Sequence, residues 1–109
     1  MAQAVEIVHF KLNENVTDTD FLKSNDAFEK FLNEQPGMLY RSLCKSNSTA
    51  TYTDIVYWES LEQAQLAQQA FFDSEFCVEF AKCIEKDSVI LDHLDILAQS
   101  QCENQAKAS

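Results

Sequence analysis

The sequence predicts an α+β domain: four strands in one antiparallel sheet, helices packed on one of its faces, and the chain order βαββαβ. Three observations predict it. Four segments carry hydrophobic residues with a period of two, and the two regions between them carry apolar stripes at helical spacing. Ser60 followed by Gln63 forms a capping box directly behind Trp58, so a strand runs straight into a helix. Pro36-Gly37, the single Pro and single Gly of the chain, punctuates the end of the other helical region.

The first strand covers Val5 to Leu12. Val5, Ile7 and His9 share one face, while Glu6, Val8, Phe10 and Leu12 share the other, so both faces are apolar. Asn13 to Asn15 reads as a turn. Thr17 then caps a helix with Asp18 and Asp20 in its first turn, where acidic groups favour the positive end of the helix dipole. Phe21, Leu22, Phe28, Phe31 and Leu32 form its predicted buried stripe.

Met38 to Lys45 and Thr51 to Trp58 read as the second and third strands, joined as a hairpin by the polar loop Ser46 to Thr49. The next helix presents Leu61, Ala64, Ala67 and Phe71 on one side. Asp73-Ser74 interrupts it and caps a short helix whose stripe is Phe76, Phe80, Cys83 and Ile84. Glu85 to Asp87 turns the chain into a last strand, Ser88 to Leu97. Connection rules make this order a ferredoxin-like split βαβ sandwich, with the helices on one face. Residues 1–97 are expected to form the domain, and 98–109 a polar tail that is mobile or a short helical extension.

Helices can cover only one face of such a sheet. Alternate residues place Val5, Ile7, Met38, Tyr40, Ile55, Tyr57, Val89 and Leu91 on the other. Covering large apolar side chains contributes about 1.5–3 kcal/mol each, so the face as a whole is worth up to roughly 10–20 kcal/mol. An apolar face of that size calls for a partner, and a second copy related by a two-fold axis is the simplest one. The sequence therefore predicts a homodimer joined sheet to sheet.

Charge and cysteine content bound the function. Eight basic against 18 acidic residues give a net charge of −10. That field disfavours nucleic acid and anionic membranes, which both require clustered Lys and Arg. No segment approaches the roughly 18 apolar residues of a membrane span. The start of the chain lacks a signal-peptide pattern, and Cys44, Cys77, Cys83 and Cys102 form no C-x-x-C pair, so a cytoplasmic protein with reduced thiols is expected. Nucleotide-binding glycine loops, H-E-x-x-H and G-x-S-x-G are all lacking.

Several side chains are candidates for chemistry. Glu6 lies on the helix side of the first strand, where desolvation would raise its pKa and make it a base. His9 and His93 fall on neighbouring strands near carboxylates and can form a proton relay. Two histidines without a third ligand make a poor metal site, so no metal is expected, and structural hydrogen bonding explains them too. Trp58, Tyr57, Phe10, Phe28, Phe71 and Phe80 can line a pocket for an aromatic molecule, although a plain hydrophobic core uses the same residues. Arg41 reads either as an anion-binding group or as an exposed edge-strand charge that discourages aggregation. Cys44 has no visible basic neighbour to activate it.

The turn Pro36-Gly37-Met38-Leu39 and the segment Asp54-Ile55-Val56-Tyr57-Trp58-Glu59-Ser60 resemble those of the dimeric α+β barrel superfamily, and most closely its antibiotic-biosynthesis-monooxygenase-like group. The opening strand, Val5-Glu6-Ile7-Val8-His9-Phe10-Lys11-Leu12, is also similar to the stress-responsive members. The resemblance spans nearly all of residues 4–97. It implies a dimer, and a pocket between sheet and helices. The Asn, Trp and His used by the haem-degrading members would fall near Val8, Ala67 and Phe80, so haem is not expected, nor is any other cofactor. The expected function is binding of a small apolar or aromatic molecule by a homodimer. The alternatives are a cofactor-free monooxygenase or isomerase acting on a phenolic or enolisable substrate, and a non-catalytic stress-related or interaction module.

Overall fold

The computed structural model describes residues 3–101. The elements run β1 (Ala4–Phe10), α1 (Asp18–Asn33), β2 (Met38–Lys45), β3 (Tyr52–Trp58), α2 (Leu61–Asp73), α3 (Val78–Lys82) and β4 (Ile90–Asp95). The four strands form one sheet in the order β2-β3-β1-β4, with every neighbouring pair antiparallel. This is the ferredoxin-like α+β architecture that the hydrophobic pattern predicts.

Local chemistry sets the element boundaries. The Thr17 hydroxyl accepts the Asp20 amide at 3.1 Å, and the Ser60 hydroxyl accepts that of Gln63 at 3.2 Å, so both predicted helix starts are capped. Ser60 in turn donates to Gln63 Oε1, which presses the glutamine side chain toward the turn before β2. Gly37 sits there at φ +85°, and a Cβ at that point would collide with the Gln63 amide. Glycine satisfies both demands, since it tolerates the left-handed region and needs no side-chain space. Asn15, in the predicted turn after β1, also has a positive φ of 70°.

The core lies on one face of the sheet. Phe10, Tyr52, Val56 and Trp58 rise from the two central strands to meet Phe21, Phe28, Phe31 and Leu32 of α1, Ala64 and Ala67 of α2, and Phe80 of α3. All three helices therefore cover the Trp58 face. Ser74 interrupts the second helical region as predicted, accepting from the Phe76 amide at 3.2 Å.

The structure corrects several expectations. Met38, Val89 and Leu91 belong to the helix face rather than the outer one. A bulge between Met38 and Tyr40 sets Met38 opposite Trp58 but Tyr40 opposite Tyr57, so the extra residue breaks strict alternation. In β4, Leu91 pairs with Val8, which puts Leu91 and Val89 beneath the helices and turns Ile90 and Leu94 outward. A one-residue difference in register exchanges every side chain between faces.

Phe76 is exposed, because a single 3₁₀ turn at Glu75–Cys77 rotates the phase and buries Cys77 and Phe80 instead. Leu22 is exposed as well, one position round α1 from Phe21. β1 ends at Phe10, leaving Leu12 in an isolated bridge to Ile84. β4 is shorter than Ser88 to Leu97: Lys86–Ser88 forms a second 3₁₀ turn, in which the Ser88 hydroxyl accepts from the Lys11 amide at 2.8 Å. Residues 98–101 have no regular structure, and the rest of the predicted tail lies outside the described residues. Cys44, Cys77 and Cys83 are free thiols, and Cys102 also lies outside the described residues.

The outer face keeps its apolar character after these exchanges. Val5 and Ile7 of β1 and Ile55 and Tyr57 of β3 occupy its centre, and Tyr40, Ile90 and Leu94 flank them on the edge strands. Tyr40 and Ile90 are 62% and 60% exposed, far above what apolar side chains of that size show in a core.

Candidate functional site

Between the sheet and the helices lies a cavity of about 340 Å³. Its floor comes from alternate residues of the central strands, Glu6, Val8 and Phe10 of β1 and Asp54, Val56 and Trp58 of β3, and its roof includes Phe28, Phe31, Phe71 and Phe80. Ala67 and Gln68 join Phe71 on the α2 side of the roof, where the small Ala67 leaves room that a larger residue would fill. The exposed members of the wall, Phe72, Ala81, Lys86, Val89 and Leu91, gather toward the β4 edge and mark its mouth.

The polar members of this mostly apolar wall are Gln68, Lys86 and two carboxylates, each carboxylate backed by a basic group. Glu6 Oε2 and His93 Nε2 lie 2.6 Å apart, with both side chains mostly buried. The contact follows from register, since Glu6 pairs with His93 across β1 and β4. Burial is the main cause that raises the Glu6 carboxyl above its ordinary value of 4.5; the His93 hydrogen bond and charge oppose the rise, and the Asp54 charge adds to it.

The second pair is Asp54 with Arg41. Arg41 Nε and Nη2 donate to the two Asp54 oxygens at 2.8 and 2.7 Å, and Nη1 donates to Asn25 Oδ1 at 2.6 Å. The guanidinium also lies 4.8 Å from the centre of the Phe28 ring. With side-chain exposures of 5% and 7%, this is a buried bidentate ion pair, so Arg41 is neither an exposed edge charge nor a free anion-binding group. The same wall carries one orphan: the indole Nε1 of Trp58 is buried with no hydrogen-bond partner. Leaving such a donor unmet costs about 1–3 kcal/mol.

Of the candidate residues, Glu6, Trp58, Phe10, Phe28, Phe71 and Phe80 line this one cavity, and His93 stands behind Glu6. His9 and Tyr57 do not join them. His9 pairs with Thr53 and Ile90 on the outer face, where its Nδ1 lies 2.9 Å from the Thr53 hydroxyl. The two histidines are thus on opposite faces of the sheet, which rules out a relay between them. Tyr57 adjoins Trp58 in the chain and for that reason points the other way, toward the Tyr40 ring at 6.4 Å.

The residue that sequence reasoning missed is Asp54. Its signal was a carboxylate at an inward position of the alternation Tyr52, Asp54, Val56, Trp58, with an arginine on the adjoining strand to meet it. Among the described residues, no group of three or more His, Cys, Asp or Glu is placed to hold a metal ion.

The raised Glu6 value has a consequence for stability. Below pH 4.5 both the folded and the unfolded chain hold the proton. As pH rises past that value the unfolded chain releases it first, so stability falls with pH until the folded carboxyl has ionised too. Glu6→Gln removes this slope. Denaturation of the two proteins across that interval is expected to show the variant gaining on wild type as pH rises; parallel curves would contradict the assignment.

No protein-family model matches the chain, and a search of curated proteins returns no significant match. Solved structures do match. A proposed antibiotic biosynthesis monooxygenase from Bordetella bronchiseptica superposes with a TM-score of 0.74 at 16% identity, over 90% of this chain and 100% of that one. SnoaB, a cofactor-independent oxygenase from Streptomyces nogalater, gives 0.64 at 13% identity, over 94% and 99%. A dimeric ferredoxin-like protein from an uncultured marine organism gives 0.68 at 14% identity, over 94% and 95%. At these identities the shared property is the fold alone, the ferredoxin-like α+β architecture. No helix among the described residues is long and apolar enough to cross a membrane.

Proposed function

We propose that the protein is a homodimer that binds a small apolar or aromatic molecule in the cavity between its sheet and its helices. The observation that carries this reading is the cavity itself, about 340 Å³ walled by Phe, Trp and aliphatic side chains with two inward carboxylates. A few polar groups in a mostly apolar concavity are the usual make-up of a small-molecule site. A module serving only for interaction would have no use for the space, and burying more side chain there would stabilise it.

The dimer follows from the apolar outer face, and one structural neighbour is itself described as dimeric. The outer face and the cavity lie on opposite sides of the sheet, so assembly leaves the cavity wall free.

Trp58 is the one tryptophan of the chain and lies on the cavity wall, which supplies an internal probe. Titration with prodan, a neutral naphthalene fluorophore, is expected to show saturable energy transfer from Trp58 at one dye per chain. Absence of saturable transfer would sink the binding reading.

A second reading is favoured by the Glu6–His93 contact and by the oxygenases among the structural neighbours: a cofactor-free monooxygenase or isomerase acting on a phenolic or enolisable substrate. Glu6 would accept the substrate proton, with His93 holding its carboxylate in position. Oxygen uptake, or exchange of an enolisable proton, that is lost in Glu6→Gln distinguishes this from binding alone.

A further inference from the structure

We infer that the occupant of the cavity is an organic cation: a protonated amine on an apolar, ring-sized body, its ammonium donating to Glu6 Oε1. This names the ligand class for the binding reading above and rests on it.

The acceptors on the wall narrow the choice. Both Asp54 oxygens take hydrogen bonds from Arg41, whose remaining contact goes to Asn25, so that pair is internally matched. Glu6 is different. Its Oε2 faces His93, while Oε1 makes no hydrogen bond to any described residue. One carboxylate oxygen is therefore open on an aromatic wall, and it calls for a donor.

The surroundings favour a charged donor over a neutral one. A hydrogen bond from an ammonium to a carboxylate is about twice as strong as one between neutral groups. Phe10, Phe28, Phe71, Phe80 and Trp58 line the cavity, and aromatic rings attract cations in a desolvated site, as Arg41 over the Phe28 ring already does. The net charge of −10 draws cations toward the protein as a whole. An organic carboxylate would instead lie against the Glu6 carboxylate in a mostly apolar enclosure, where Gln68 and the exposed Lys86 are the remaining polar side chains of the lining.

Three probes of nearly equal shape test this: phenethylamine, phenethyl alcohol and phenylacetate, titrated calorimetrically at neutral pH. The amine is expected to bind at least roughly tenfold more tightly than the alcohol, and phenylacetate not at all. Glu6→Gln is expected to bring the amine down to the level of the alcohol, with a cooperative thermal unfolding transition showing that the variant is folded. Equal affinity for amine and alcohol, measurable binding of phenylacetate, or an amine affinity unaffected by Glu6→Gln would each overturn the inference. Prodan binding separates the two levels: if the dye binds and the amine has no advantage, the cavity reading stands and this one falls.

Discussion

Replacing Arg41 by Met is expected to destabilise the protein by about 3–5 kcal/mol, because it leaves the Asp54 carboxylate buried and unpaired. For a domain of this size that corresponds to a fall in Tm of roughly 15–30 °C. The cost comes from the stranded charge rather than from the loss of an attractive pair. The double variant Arg41→Met with Asp54→Leu is accordingly expected to regain most of the stability, since apolar replacements of a buried ion pair are often neutral or better. Denaturant unfolding of the two single variants and the double variant gives the coupling directly. A single variant within about 1 kcal/mol of wild type, the usual range for an exposed pair, would contradict a buried bridge.

The second large effect concerns assembly. Ile55 sits at the centre of the outer face, opposite Ile7 across β1 and β3. In an interface with two-fold symmetry, Ile55→Glu enters twice, so each dimer would bury two carboxylates without partners. The variant is expected to sediment as a single chain of 12.4 kDa, and wild type at twice that mass. Its outer face lies away from the core, so the variant should keep the Trp58 environment and its dye binding. Equal masses for both proteins would remove the proposed interface, as would wild type that stays monomeric at every concentration.

The core was legible because its signals are local and periodic. Thr17 and Ser60 announce helix starts by hydrogen-bonding chemistry that needs no tertiary context, and Phe28, Phe31 and Leu32 repeat at a spacing only a helix brings to one side. Register was less legible. The bulge at Leu39 and the phase of β4 depend on pairing across strands, so Met38, Val89 and Leu91 were assigned to the wrong face although their strands were recognised. The 3₁₀ turn at Glu75–Cys77 did the same to Phe76.

The candidate site shows the same division. The inward positions of Glu6, Trp58 and four phenylalanines, which line the cavity, are legible from alternation and helical spacing. Arg41 was misjudged because an edge strand suggests solvent, whereas its inward neighbour Asp54 decides its environment. Neither Asp54 nor the separation of His9 from His93 follows from either residue alone. Both follow once β1 is set in register between β3 and β4.

A crystal structure of protein purified directly from its own cells tests most directly whether the space beneath the helices is a ligand site. Electron density for an organic molecule between Trp58, Phe28 and Glu6 is the predicted result. A collapsed interior, with Phe71 and Phe72 turned inward to fill the volume and no molecule held there, would contradict it.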